Sequence, residues 1–336
     1  MSLRRRRIQR ALIALLGVLL VTVGARALRS ATAGHEIRVE RVHDKDAHTV
    51  TVDVASVSSR DVLFDESFRV RSGGTLRLDL GSENVAVRTV SGDRARVVVE
   101  GRGRDAQAEF ERRRFSARAD GGDLVVRTDP PRRRWSMRRT DARFQVTVEV
   151  PRRYSAVLDL GSGNVEVASL QGDLAVDVGS GNVDVADVDG DRVVLDTGSG
   201  NVRARTLRGD VRIDTGSGSV QVDRVEGSLV VDTGSGSVAV GSVDGPSEVD
   251  TGSGSIELTL RSASAASLSA GSGSVTVRVP RGAGFDVDLD GGSVRIDEAL
   301  GFSGDRERDE ARGQLGRGGP RLRVDTGSGS IRLVTG

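Results

Sequence analysis

A seven-residue string, Asp-x-Gly-Ser-Gly-(Asn/Ser)-(Val/Ile), returns along the chain at a nearly constant interval, and this recurrence limits the fold more than any other feature. It occupies residues 159–165, 177–183, 196–202, 214–220, 232–238 and 250–256. Residues 269–275 keep the turn with Ser269 in place of Asp, residues 290–294 are a shortened copy, and residues 325–331 close the series. An early copy at 79–85 carries Glu83 where the second glycine belongs. The closing aliphatic residues Val165, Val183, Val202, Val220, Val238, Ile256, Val275 and Val294 stand 18 or 19 residues apart. A period of that length marks stacked structural repeats.

Each interval reads as one coil with two short strands and two tight corners. Val165-Glu-Val167 alternates, residues 170–173 turn, residues 174–178 alternate again, and Gly179-Ser-Gly-Asn182 turns back. Leu174, Val176 and Val178 share one face, matched by Val193, Leu195 and Thr197 and then by Val211, Ile213 and Thr215. One coil cannot bury such a face. Coils stacked at ~4.8 Å can, by pairing backbones along the axis and layering like side chains inside. Seven Phe, one Trp and one Tyr are too few to fill a large globular core, whereas short runs of Val, Leu and Ile fill many thin layers. Glycine at the corners supplies the positive φ of a tight turn. The Asp before each turn is predicted to point outward and to accept from the turn's N–H groups.

The ends of such a stack need covers, because open strand edges pair with other chains. Residues 105–117 read as a short capping helix with Ala106, Phe110 and Phe115 as its apolar contacts. Residues 123–127 and 144–150 read as strands leading into the array. Residues 304–319, polar and glycine-rich, read as a surface loop before the last coil.

The first residues carry a different signal. Arg4, Arg5, Arg6, Arg7 and Arg10 precede a 13-residue apolar run at 11–23, which has the length of a signal-peptide core. Two A-x-A sites follow, at 25–27 and 31–33. A cleaved signal and an uncleaved anchor both place the body beyond the cytoplasmic membrane. The expected organisation is a leader at 1–33, a linker at 34–67 and an all-β solenoid at 68–336. The solenoid divides into an N-terminal coil and cap at 68–150 and regular repeats at 151–336. There is no cysteine, so disulfides, thiolate chemistry and N-terminal lipidation on cysteine are excluded. A net charge of +1 gives no reason to expect a nucleic-acid partner.

Gly73-Gly-Thr-Leu-Arg-Leu-Asp-Leu-Gly-Ser-Glu-Asn-Val85, Val148-Glu-Val-Pro151 and the Gly-Ser-Gly turns that follow resemble a bacterial putative-adhesin family of unknown function with a β-solenoid head. The resemblance runs from about Phe68 to the C-terminus. It implies a secreted or membrane-tethered, envelope-facing protein and brings no catalytic residues with it.

Several motifs invite a chemical reading. Asp-Thr-Gly-Ser is also the active-site string of aspartic proteases, but that chemistry needs two carboxylates sharing a proton in a cleft, not a column on a flank. Like charges ~4.8 Å apart repel by roughly 0.9 kcal/mol each at the water dielectric. Turn capping would offset this in the Asp column, and the alternative is Ca2+ held between coils by Asp177, Asp196, Asp214, Asp232 and Asp250. Arg132, Arg133, Arg134, Arg138 and Arg139 surround the lone Trp135, a patch suited to anionic headgroups or an envelope polymer, or else a solvated hairpin tip. His35, His43 and His48 are the only histidines and lie outside the repeats, leaving no Ser-His chemistry there. The outward residues after each corner, Glu166, Asp184, Arg203, Gln221, Ala239 and Glu257, read as a solvated flank.

The functional expectation is an exported, non-enzymatic envelope protein whose solenoid presents an adhesion, binding or structural surface. Its partner would be an envelope or surface polymer or another protein, with membrane association through the N-terminus and no cofactor. The alternatives are a carbohydrate-active enzyme on a solenoid and an envelope-stress component that senses or shields the membrane.

Overall fold

The computed structural model describes residues 61–129 and 141–336. The leader, the three histidines and the Arg132–Arg139 cluster lie outside the described residues. The compact unit spans Val62–Gly336. Among the described residues no helix is long and apolar enough to cross a membrane.

The unit is the β-solenoid that the period predicts. Its strands form one hydrogen-bonded sheet that winds into two facing layers. In the first layer, Leu174–Val178 pairs in parallel with Ser155–Leu160 on one side and with Val193 to Thr197 on the other. In the second, Val183 to Val185 lies between Val165 to Val167 and Val202 to Ala204. Val183–Ser199 and Val202–Ser217 each run as a single strand around the corner between the layers. Leu174, Val193, Val211 and Leu229 fall into one inward row; Val176, Leu195, Ile213 and Val231 fall into the next. These residues are all at most 2% exposed, so the thin aliphatic interior is the core. At ~25 cal/mol per Å² of buried apolar surface, it supplies most of the driving force for stacking.

The corners show why the repeat needs glycine. Gly254 sits at φ +148°, and a Cβ there would lie 2.5 Å from the carbonyl carbon of Gly236 in the neighbouring coil and closer still to its oxygen. Successive turns therefore nest on one another with no room for a side chain.

Both ends of the stack reverse the order of the sequence. Thr75–Leu80 lies between Asp123–Arg127 and Ser155–Leu160, so the first coil in the chain is the second in space. At the other end, Arg321–Thr326 slides between Ala266–Ser272 and Phe285–Asp290, and Ser330–Thr335 between Val275–Val279 and Ser293–Ile296. The copy at 325–331 closes the series in sequence only; the shortened copy at 290–294 is outermost.

The end covers match expectation in part. A helix, Ala106–Arg113, forms where residues 105–117 predict one, with Ala106 buried. It stops earlier because Arg114 turns left-handed (φ 50°), and the chain enters the strand Ser116–Asp120. Phe110 packs between Phe115 and Phe144 at centroid distances of 5.5 and 6.4 Å. The expected loop at 304–319 is instead a hairpin. Phe302–Arg306 and Glu310–Leu315 pair antiparallel, and the second strand continues the sheet beside Phe285–Asp290. Ala311 and Leu315, both 0% exposed, cover Leu289 and Phe285. Two small apolar anchors among charged residues are a weak alternation signal, which is why composition alone suggests a loop. An antiparallel hairpin ends a parallel stack by breaking its pattern.

Candidate functional site

Stacking converts each repeated residue into a column along the axis. Asp79, Asp159, Asp177, Asp196, Asp214, Asp232 and Asp250 are Cα partners in unbroken succession, and Ser269 then interrupts the line before Asp325 and Asp290. The expected capping of turns by these carboxylates does not occur. The strand keeps its pleat through Asp and Thr, so the carboxylate faces away, and the turn amides bond along the axis instead. Gly181 N–H donates to Ser199 O at 2.9 Å and Gly200 N–H to Ser217 O at 2.9 Å.

Two other columns hold the turns. The buried threonines of Asp-Thr-Gly-Ser donate their hydroxyls to a glycine carbonyl of the preceding turn: Thr197 to Gly181 (3.2 Å), Thr215 to Gly200 (3.3 Å) and Thr251 to Gly236 (3.0 Å). On the outer side, Asn164 Oδ1 accepts from Asn182 N–H at 3.0 Å, and Asn182 Oδ1 from Asn201 N–H at 3.0 Å. The protease-like string is thus a structural device, with Thr as its inward hydrogen-bonding member.

Charge is distributed unevenly. At the second corner the acids are paired with arginines across coils: Arg208 with Glu226 (2.7 Å), Glu226 with Arg224 (2.7 Å), Arg224 with Asp244 (3.5 Å) and Asp244 with Arg261 (3.2 Å). Among the described residues of the Asp column only Asp214 meets a cation, Arg212 at 3.7 Å. Burial pushes the Asp196 carboxyl above its ordinary value, and the neighbouring charges of Asp214 and Asp177 push it further. Among the described residues no three His, Cys, Asp or Glu side chains converge as a metal-holding group, and the column offers one carboxylate per coil.

The second layer's outer face is shaped differently. Its outward residues form two parallel columns. One passes through Glu166, Asp184, Arg203, Gln221, Ala239 and Glu257, and the other through Ala168, Ala186, Arg205, Asp223 and Gly241. Between them run adjoining hollows, the central one about 390 Å³. The residues read as a uniform solvated flank therefore line a depression, which the repeat alone could not reveal. Alternation identifies which residues face out; the relief depends on the small side chains Ala168, Ala186, Ala239 and Gly241 standing beside longer ones.

Against known proteins, no curated protein matches the chain. Among solved structures it is similar to a "putative adhesin" from Bacteroides fragilis at 11% identity, covering 82% of this chain and 99% of that one with a TM-score of 0.38. It is similar also to a "putative adhesin" from Parabacteroides distasonis at 13% identity, covering 81% and 96% with a TM-score of 0.34. A "putative lipid binding protein" from the same organism is 16% identical, with coverage of 81% and 96% and a TM-score of 0.33. Residues 74–334, most of the solenoid, match the Toastrack DUF4097 family, and the chain belongs to that family.

Proposed function

We propose that this chain is exported and acts in the cell envelope as a non-enzymatic solenoid offering a repeated surface for adhesion or assembly. One observation carries the reading: the Asp column stands in unbroken register from Asp79 to Asp250, so a contact made by one carboxylate is offered again ~4.8 Å farther along. Such an array favours multipoint binding of an extended partner, where weak contacts add through effective concentration. The basic, apolar leader and membership of the Toastrack DUF4097 family support an extracytoplasmic location.

The test is a pull-down of the purified chain with isolated cell envelopes, beside fractionation of the producing cells. Saturable envelope binding and recovery outside the cytoplasm are expected; a cytoplasmic protein without envelope binding would overturn the reading. Within this proposal, the sequence cluster of Arg132, Arg133, Arg134, Arg138 and Arg139 around Trp135 supplies charge and an interfacial ring for anionic headgroups or polymers. Neutralising the five arginines should weaken binding to anionic liposomes, and unchanged binding would remove the patch from the proposal.

A further inference from the structure

We infer that the outer face of the second layer is a binding groove for one extended, uncharged polysaccharide lying parallel to the solenoid axis. The inference deepens the reading of the solenoid as an envelope binding surface and rests on it. Three hollows adjoin on this face. The first two share Glu166 and Asp184, and the second and third share Gln221 and Asp223, so they form one track. The track begins beside Asn84 and Gln145 and ends at Glu257 and Thr259. By register this covers seven coil steps, from the row of Thr147 to that of Glu257, or about 34 Å at ~4.8 Å per step. A coil step is close to the length of one pyranose ring in an extended chain, so each ring would meet one row.

The chemistry of the walls selects the partner. Successive rows present a carboxylate (Glu166), a second carboxylate (Asp184), a guanidinium (Arg203) and an amide (Gln221). Asp184 and Arg203 face each other at 3.8 Å, both about half exposed, and the set matches hydroxyl groups that both donate and accept. Among the described residues Glu166 makes no ion pair, so its oxygens are available to hydroxyls, while Asp223 lies in the field of Arg205. The floor is kept low by Ala168, Ala186 and Gly241. No aromatic or long aliphatic side chain lines the track, which disfavours an acyl chain. Four acids against two arginines disfavour a polyanion. A peptide strand would need a free sheet edge, and this surface is a face whose backbone groups are already paired.

The experiment is calorimetry of the full-length chain with neutral oligosaccharides of increasing length, with polygalacturonate, and with a cationic peptide. Affinity should rise with length and level off at about eight rings, one for each row joined by the seven coil steps of ~4.8 Å. Ala186→Trp, an outward change that fills the track, should weaken neutral-glycan binding at least tenfold with thermal stability retained. Asp232→Asn on the opposite layer should leave it unchanged. Tighter binding of the polyanion or the peptide than of any neutral glycan would overturn the inference. So would an Ala186→Trp chain that binds glycan like the parent, or parent binding independent of length. If envelope binding persists while every neutral glycan fails, the groove assignment falls and the adhesion reading stands; if the parent binds no envelope either, both fall.

Discussion

Replacing Gly254 by alanine measures how closely neighbouring turns are nested. The new Cβ would stand 2.5 Å from the Gly236 carbonyl carbon, where real Cβ atoms keep at least 3.0 Å, and the obstacle is backbone rather than a movable side chain. The two turns must separate. Separation strains the bonds that tie these two turns, Gly236 N–H to Ser253 O (2.8 Å) and Val238 N–H to Ser255 O (2.9 Å). It also intrudes on the Gly236 oxygen that the Thr251 hydroxyl uses at 3.0 Å. Thr251 is 0% exposed, so its hydroxyl has no water to turn to. A backbone conformation reserved for glycine costs ~1–3 kcal/mol, and an orphaned buried hydroxyl costs ~1–3 kcal/mol. Their sum, about 4 kcal/mol, is a large part of the ~5–15 kcal/mol that holds a typical domain folded. Gly282→Ala is the control. Gly282 has φ +73° and open space for 4 Å around the position a Cβ would take, so it reports the conformational cost alone, ~1–2 kcal/mol. Guanidinium unfolding followed by far-ultraviolet circular dichroism gives both values. If Gly254→Ala costs no more than Gly282→Ala, the turns are not in contact as described.

Other outcomes follow from the electrostatics. The raised Asp196 carboxyl means that the folded chain holds that proton more readily than the unfolded chain, so ionisation subtracts stability as pH rises. Asp196→Asn should melt slightly above the parent at neutral pH, by less than about 1 kcal/mol because the column is solvated, and the advantage should vanish in acid; a neutral-pH loss would contradict this. Arg113→Ala should cost about 3–5 kcal/mol, because Glu83, 2% exposed, would keep a buried charge without its partner. Restoring the repeat's glycine with Glu83→Gly in that background should recover stability in thermal melts, and no recovery would count against the pair. Arg321 first and Arg312 second hold the Asp288 carboxyl below its ordinary value, so its contribution is present above pH 3.8 and is lost as pH falls through the lower folded value. Limited proteolysis of the Phe302–Leu315 hairpin should therefore accelerate in strong acid for the parent, and Asp288→Asn should flatten that dependence.

The inward columns were legible from the sequence because burial enforces them: a one-residue slip at Val193 or Ile213 would expose the whole row. The helix at Ala106 and the strand at Asp123 were legible for the same reason, since each carries a periodic apolar face. The order of coils at the two ends was not. Every Gly-Ser-Gly edge accepts every other, so Arg321–Thr326 fits beside Ala266–Ser272 as well as Phe285–Asp290 does, and the 37-residue step from Val294 to Ile331, about two repeats long, is the one hint in the sequence. The destination of the Asp carboxylates was missed because a turn-capping rule assumes that the chain leaves the sheet at the turn, whereas here the pleat continues through Ser199 and Ser217. The groove was missed because it arises from the sizes of neighbouring residues in different coils, which no single repeat contains.

The interleaving at the C-terminal end has a mechanical consequence. Ser330–Thr335 is bonded along both long edges, to Val275–Val279 and to Ser293–Ile296. In an ordinary repeat array the last unit has one neighbour and frays first. Here a load applied at that end must shear two ladders at once, so the tail is wedged and does not peel away one bond at a time.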